Sequence, residues 1–70
     1  MLDPSVFPGT GTPEAGGVTF TELLEAIIKV SKLNVVACDV NELAPNLDTS
    51  GASTALACKI VRELLLALNK

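Results

Sequence analysis

Seventy residues limit this chain to one small domain, and a chain of that length buries only about 60% of the surface that its unfolded form exposes. Hydrophobic residues make up 49% and charged residues 19%, a composition that excludes an intrinsically disordered chain. The net charge of −3, with five scattered cations, argues against a nucleic-acid partner. No apolar run approaches the ~18 residues of a membrane span, and the N-terminus lacks a signal pattern, so we expect a cytoplasmic protein without a membrane partner.

A loop is predicted at 1–18. This segment contains three of the four prolines and four of the five glycines. Proline and glycine at this density interrupt both helices and ordinary strands. We therefore predict an extended, turn-rich segment.

A helix is predicted at 19–32. Thr19 and Glu22 have the spacing of a capping box, in which the hydroxyl and the carboxylate bond to free amides of the first turn. Apolar residues then recur at helical spacing, namely Phe20, Leu23, Leu24, Ile27 and Ile28. The pattern predicts an amphipathic helix with one covered face.

A strand is predicted at 34–41 and a second helix at 52–69. The strand segment is a short, β-branched run, typical of a strand covered on both faces within a parallel sheet. The second helix, which Asp48 or Ser50 could cap, is apolar nearly all round and should be heavily buried. The order loop, helix, strand, helix predicts an α/β fragment, because one strand cannot form a sheet alone.

The chain contains no histidine, so it lacks the usual general base and imidazole metal ligand. We expect Cys38 and Cys58 to be small buried hydrophobic residues in a reducing compartment, with redox or metal roles as the alternative. The GTGTP segment at 9–13 is a poor phosphate loop, because it lacks the Lys-Ser/Thr ending and follows no predicted strand. We therefore predict no catalytic residue and no metal ligand within the chain itself.

Three motifs nevertheless carry a specific pattern: LDP at 2–4, PGTGTPEAGG at 8–17 and DVNELAP at 39–45. Together they resemble the C-terminal part of the ureohydrolase family, the arginases and agmatinases. Glu14 makes the agmatinase branch the closer match, since arginases tend to carry a hydrophobic residue there. In that family an Asp-x-Asp pair of metal ligands stands just ahead of the position of Met1, so we expect the chain to be one end of an enzyme.

The resemblance implies a partial ureohydrolase domain over 1–70, the C-terminal fragment of a three-layer, parallel-sheet α/β fold. It also implies an agmatinase-like hydrolase that converts agmatine or a similar guanidino compound to an amine and urea, as in polyamine metabolism. Family members use two Mn²⁺ ions, held by Asp and His residues that have no counterpart here. We therefore expect no metal on this chain alone.

The resemblance also suggests roles for three residues of this chain. It implies that Glu42 orients the guanidino group of the substrate, where local sequence alone would allow a solvated loop glutamate. It places Thr12 near the substrate and that glutamate. It implies that Asp3 braces the loop that presents the metal ligands, although a plain turn aspartate before Pro4 is the local alternative.

Two main hypotheses follow from the sequence, and a regulatory decoy that enters the family's oligomer is a third option. The first is the C-terminal part of an agmatinase-like enzyme, inactive when isolated. The alternative is a truncated product that acts as a non-catalytic association module. Its apolar last helix could then form a homo-oligomer.

Overall fold

The computed structural model describes residues 1–69, so the final residue of the predicted 1–70 domain lies outside the described part. Two α-helices dominate this part: α1 at Phe20–Val30 and α2 at Ala52–Leu68. A short 3₁₀ helix at Pro45–Leu47 lies between them. Neither α-helix is both long and apolar enough for a transmembrane segment.

Helix α1 begins at the capping box. The Thr19 hydroxyl accepts the backbone N–H of Glu22 at 3.2 Å, and the Glu22 carboxylate accepts the backbone N–H of Thr19 at 3.0 Å. Both bonds satisfy amides that a helix start leaves without intrahelical partners. The Glu22 carboxylate accepts hydrogen bonds from the Thr19 N–H and, at 3.1 Å, from the Thr19 hydroxyl, and these two bonds hold the pKa of Glu22 below its ordinary value.

Helix α1 packs against α2 around a small core. Ala57 and Ile60 of α2 are the buried hydrophobic residues among 1–69. At the start of α1, the Lys59 ammonium lies 5.0 Å from the centroid of the Phe20 ring, within range of a cation–π interaction. Hydrophobic packing and this contact together fix how the two helices meet.

Helix α2 begins after a polar turn. Gly51 adopts φ 76°, the left-handed conformation that glycine tolerates best. The Asp48 carboxylate accepts the N–H of Ser53 at 2.8 Å, and the Ser50 hydroxyl accepts the N–H of Ala52 at 3.1 Å. Both predicted capping residues thus bond to first-turn amides, although Gly51 is the cap position itself.

The strand predicted at 34–41 is not formed among residues 1–69. The one β-type pairing in this part of the chain is an isolated parallel bridge between Leu2 and Val18. A strand requires a hydrogen-bonded neighbour, and no described segment makes β-type hydrogen bonds with 34–41. The predicted cover on two faces is also missing, since Val36 is 88% exposed. The three-layer parallel sheet therefore remains a prediction.

Two further expectations of burial were wrong for the described chain. The C-terminal half of α2 is open, with Leu65 68% and Leu66 64% exposed. Cys38 and Cys58 are free and exposed rather than buried. The reason is the same in each case. Helix α1 and the loops cannot cover every face of α2, or both faces of the segment at 34–41.

Candidate active site

A groove of about 340 Å³ lies where the N-terminal loop, the segment at 39–43 and both helices meet. Phe7 and Thr10 line it from the loop, and Asn41 and Glu42 line it from the opposite segment. Leucine and isoleucine side chains of α1 and α2 form its floor: Leu23, Ile27, Ile60 and Leu64. The groove thus combines an apolar floor with a carboxylate at its side.

A second, larger groove of about 740 Å³ lies beside the C-terminal half of α2. Its lining includes Val61, Leu65 and Leu66, all of them exposed apolar residues. None of the site residues predicted from the sequence lines it. Asp39 lines both grooves, whereas Glu42 lines only the smaller one, so we place the candidate site in the smaller groove.

Glu42 occupies an unusual backbone position. Its φ is 70°, in the left-handed region that non-glycine residues rarely adopt. Its N–H donates to the side-chain oxygen of Asn41 at 2.8 Å, which holds this turn. The carboxylate makes no hydrogen bond or ion pair to any residue within 1–69 and is therefore available to a ligand.

Asp3 organises the loop around its carboxylate. Oδ2 accepts the N–H of Ser5 at 2.9 Å, while Oδ1 accepts those of Gly16 and Gly17 at 3.0 and 3.2 Å. Hydrogen bonds from Ser5, and then from the two glycines, hold the pKa of Asp3 below its ordinary value of 3.8. Asp3 thereby joins the two ends of the loop.

Thr12 lies outside this arrangement. It is exposed, makes no hydrogen bond within the described residues and does not line the groove. Thr10, two residues earlier, lines the groove instead. The motif contains both threonines, and the sequence gives no local signal to choose between them. The role suggested for Thr12 stays a prediction.

The residues present do not fit a metal pair. Nowhere in 1–69 do three or more His, Cys, Asp or Glu side chains come together as a possible metal site. The complete sequence also contains no histidine. Ligands for the Mn²⁺ ions expected from the resemblance would therefore have to come from elsewhere.

Comparisons with known proteins define the class. A model of the arginase family matches residues 1–67. An agmatinase of Halalkalibacterium halodurans is 50% identical over 68 residues, which cover 94% of this chain and 24% of that protein. A crystal structure described as a candidate agmatinase from Clostridium difficile has a TM-score of 0.87 and 57% identity, covering 96% of this chain and 25% of its own.

A second solved structure, the proclavaminate amidino hydrolase of Streptomyces clavuligerus, has a TM-score of 0.89 and 40% identity. The match covers 96% of this chain and 22% of that one. This chain belongs to the arginase family. It spans about a quarter of the length of the curated relatives that it matches.

Proposed function

We propose that this chain is the C-terminal part of an agmatinase-like ureohydrolase, which hydrolyses a guanidino compound to an amine and urea. The observation that carries the proposal is the Glu42 carboxylate at the side of the small groove, which has no hydrogen-bond or ion-pair partner within 1–69. The family membership and the identity of about 50% to agmatinases support it.

The chemistry of Glu42 suits a guanidinium group. A carboxylate accepts two parallel N–H···O bonds from a planar guanidinium, and such charge-assisted pairs are both strong and directional. Binding in this way would fix the plane of the guanidino carbon before water attacks it. In this proposal Glu42 is the substrate anchor, Asp3 braces the loop, and Thr12 approaches the substrate only in the complete enzyme.

Agmatine or a similar guanidino compound is the proposed substrate. The relatives differ in the compound that their names give, agmatine in one case and proclavaminate chemistry in another. The groove walls, formed by Phe7, Thr10 and the segment at 39–43, address the guanidino end, which these substrates share. We propose that two Mn²⁺ ions serve the whole enzyme in a cytoplasmic setting, held outside this segment.

A second candidate function is association without catalysis. The exposed side chains of Val61, Leu65 and Leu66 along α2 favour it, because exposed apolar patches commonly mark contact surfaces. Size-exclusion chromatography of the isolated chain over a range of concentrations tests this candidate. A monomer at every concentration would exclude self-association.

A chimera tests the enzyme proposal. In it, this chain replaces the matching segment of the Halalkalibacterium halodurans agmatinase, to which it is 50% identical. With Mn²⁺ present, we expect the chimera to release urea from agmatine, because the segment would supply the anchor and the groove wall. We expect the isolated chain to release none.

Circular dichroism of the chimera is the control for folding. A folded chimera without activity would contradict the proposal that this segment belongs to such an enzyme. Urea release by the isolated chain would contradict the proposal that the reacting site lies partly outside it.

A further inference from the structure

Ser53 is the most deeply buried polar side chain among residues 1–69, with no exposed surface. Its hydroxyl oxygen accepts the backbone N–H of Gly9 at 2.8 Å, across 44 positions of sequence. Its own N–H donates to the Asp48 carboxylate at 2.8 Å. Hydrogen bonds from Ser50 and Ser53 hold the pKa of Asp48 below its ordinary value. Asp48 therefore fixes Ser53 from one side, and Ser53 holds Gly9 on the other.

Gly9 is closely packed, and both its N–H and its carbonyl make hydrogen bonds. A Cβ at this position would lie 2.8 Å from Cβ of Ser53, closer than a side chain tolerates. The carbonyl of Gly9 accepts the N–H of Ala44 at 2.7 Å. Ala44 comes two residues after Glu42 in the chain. The Asp48–Ser53–Gly9–Ala44 chain of contacts, which we call the Ser53 latch, thus ends beside the carboxylate-bearing turn.

Both walls of the small groove meet at this latch. Phe7 and Thr10, which line one wall, flank Gly9 in the sequence. Asn41 and Glu42, which line the other, lead directly into Ala44. The Gly9–Ala44 hydrogen bond therefore sets the separation of the two walls, and Ser53 sets the position of Gly9.

We propose that Ser53 is a positioning residue that, through Gly9 and Ala44, holds the Glu42 turn against the N-terminal loop and so presents the guanidinium anchor. This inference rests on the proposed function, because it assigns Ser53 a role in substrate binding through Glu42. Ser53 itself does not line the groove, so it would act on a ligand only through other residues.

Loss of the hydroxyl has a defined physical consequence. Ser53→Ala leaves the buried N–H of Gly9 without its acceptor. An unsatisfied buried amide lowers the equilibrium constant for the closed loop by about tenfold or more. The loop then moves toward water to satisfy the amide. The Gly9–Ala44 bond weakens with it, and the Glu42 turn loses its support.

Amide hydrogen exchange on the 70-residue chain tests the latch without reference to activity. We expect Ser53→Ala to speed exchange at Gly9 and at Ala44 by about tenfold. Thr54→Ala is the matched control, since Thr54 is the next residue of α2 and makes no side-chain hydrogen bond within the described residues. Unchanged protection at Ala44 in Ser53→Ala would overturn the latch.

A double-mutant cycle in the agmatinase chimera tests the positioning role. We expect Ser53→Ala to lower kcat/KM for agmatine by about tenfold, mainly through KM, and to have little further effect once Glu42 is replaced by Gln. Additive losses would mean that Ser53 does not act through Glu42, and would overturn the inference while the proposed function stands. No effect of Glu42→Gln alone would instead contradict the anchor role of Glu42 in the proposed function.

If the Ser53→Ala chimera does not fold, Asp48→Asn takes its place in the cycle. That variant keeps the Ser53 hydroxyl and removes the charge from the side chain that accepts the Ser53 N–H. The same two outcomes apply, since additivity with Glu42→Gln overturns the positioning role and non-additivity supports it.

Discussion

Gly17 shows how one residue fixes the loop. A Cβ at this position would lie 2.5 Å from the backbone nitrogen of Asp3 and 2.6 Å from the carbonyl oxygen of Met1. Only glycine allows the two chain segments to approach in this way. The approach brings the N–H of Val18 to the Met1 carbonyl and the N–H of Asp3 to the Val18 carbonyl, both at 2.9 Å.

Replacement of Gly17 by alanine is therefore predicted to destabilise the chain. The new methyl group meets backbone atoms, which cannot rotate away, so we expect a loss of about 1–3 kcal/mol in the free energy of unfolding. Thermal unfolding followed by circular dichroism measures it.

Gly11→Ala is the matched control, because a Cβ there meets no atom within 4 Å. It should be neutral or slightly stabilising, since alanine restricts the unfolded chain. Equal effects of the two substitutions would contradict a steric role for Gly17.

Among individual residues, the sequence singled out Glu42, which lines the candidate groove, and missed Ser53. Glu42 was reached through its motif, yet its left-handed backbone could not be predicted, because non-glycine residues seldom adopt it. Ser53 gave no signal, since a serine near a helix start is ordinary. Its importance comes from Gly9, which is distant in sequence and close only in the folded chain.

The elements follow the sequence where their signals are local. Helix α1 lies within the predicted range 19–32, and its capping box depends on residues three positions apart. The segment at 34–41 differs, because strand formation depends on a neighbour that the segment itself cannot supply. Periodicity therefore predicted the helices better than the strand.

The Asp48 carboxylate, just before α2, should make the stability of the chain depend on pH. Hydrogen bonds from Ser50 and Ser53 hold the pKa of Asp48 well below its ordinary value of 3.8. The folded chain thus binds the proton more weakly than the unfolded chain. The stabilisation is fully present above the unfolded value and is lost as the pH falls below about 4.

Asp48→Asn should therefore destabilise the chain at pH 7, and the difference from the parent chain should shrink as the pH is lowered toward 2. Urea unfolding at several pH values measures the difference. Asp39→Asn is the control, because Asp39 is exposed and makes no hydrogen bond within 1–69. A difference for Asp48→Asn that does not change with pH would contradict the role of its charge.

Across the described residues, several large hydrophobic side chains that the sequence pattern predicts to be buried are exposed. Val36, Leu65 and Leu66 are among the large hydrophobic residues left open. The hydrophobic pattern indicates burial in a complete fold, and this chain spans about a quarter of its relatives' length. Under the proposed function, the rest of the enzyme would cover 34–41 and the open half of α2.

The most direct test of the whole account is the steady-state kinetics of Glu42→Gln in the agmatinase chimera. The amide keeps the size of the side chain and removes the charge that would pair with the guanidinium. We expect kcat/KM for agmatine to fall by about a hundredfold, the loss typical of an unpaired charge in a binding site.

Glu14→Gln is the matched control, because Glu14 is exposed and does not line the groove. It should leave kcat/KM within about twofold of the chimera, as expected for a surface substitution. A folded Glu42→Gln chimera that hydrolyses agmatine as well as the Glu14→Gln variant would contradict the assignment of Glu42 as the guanidinium anchor.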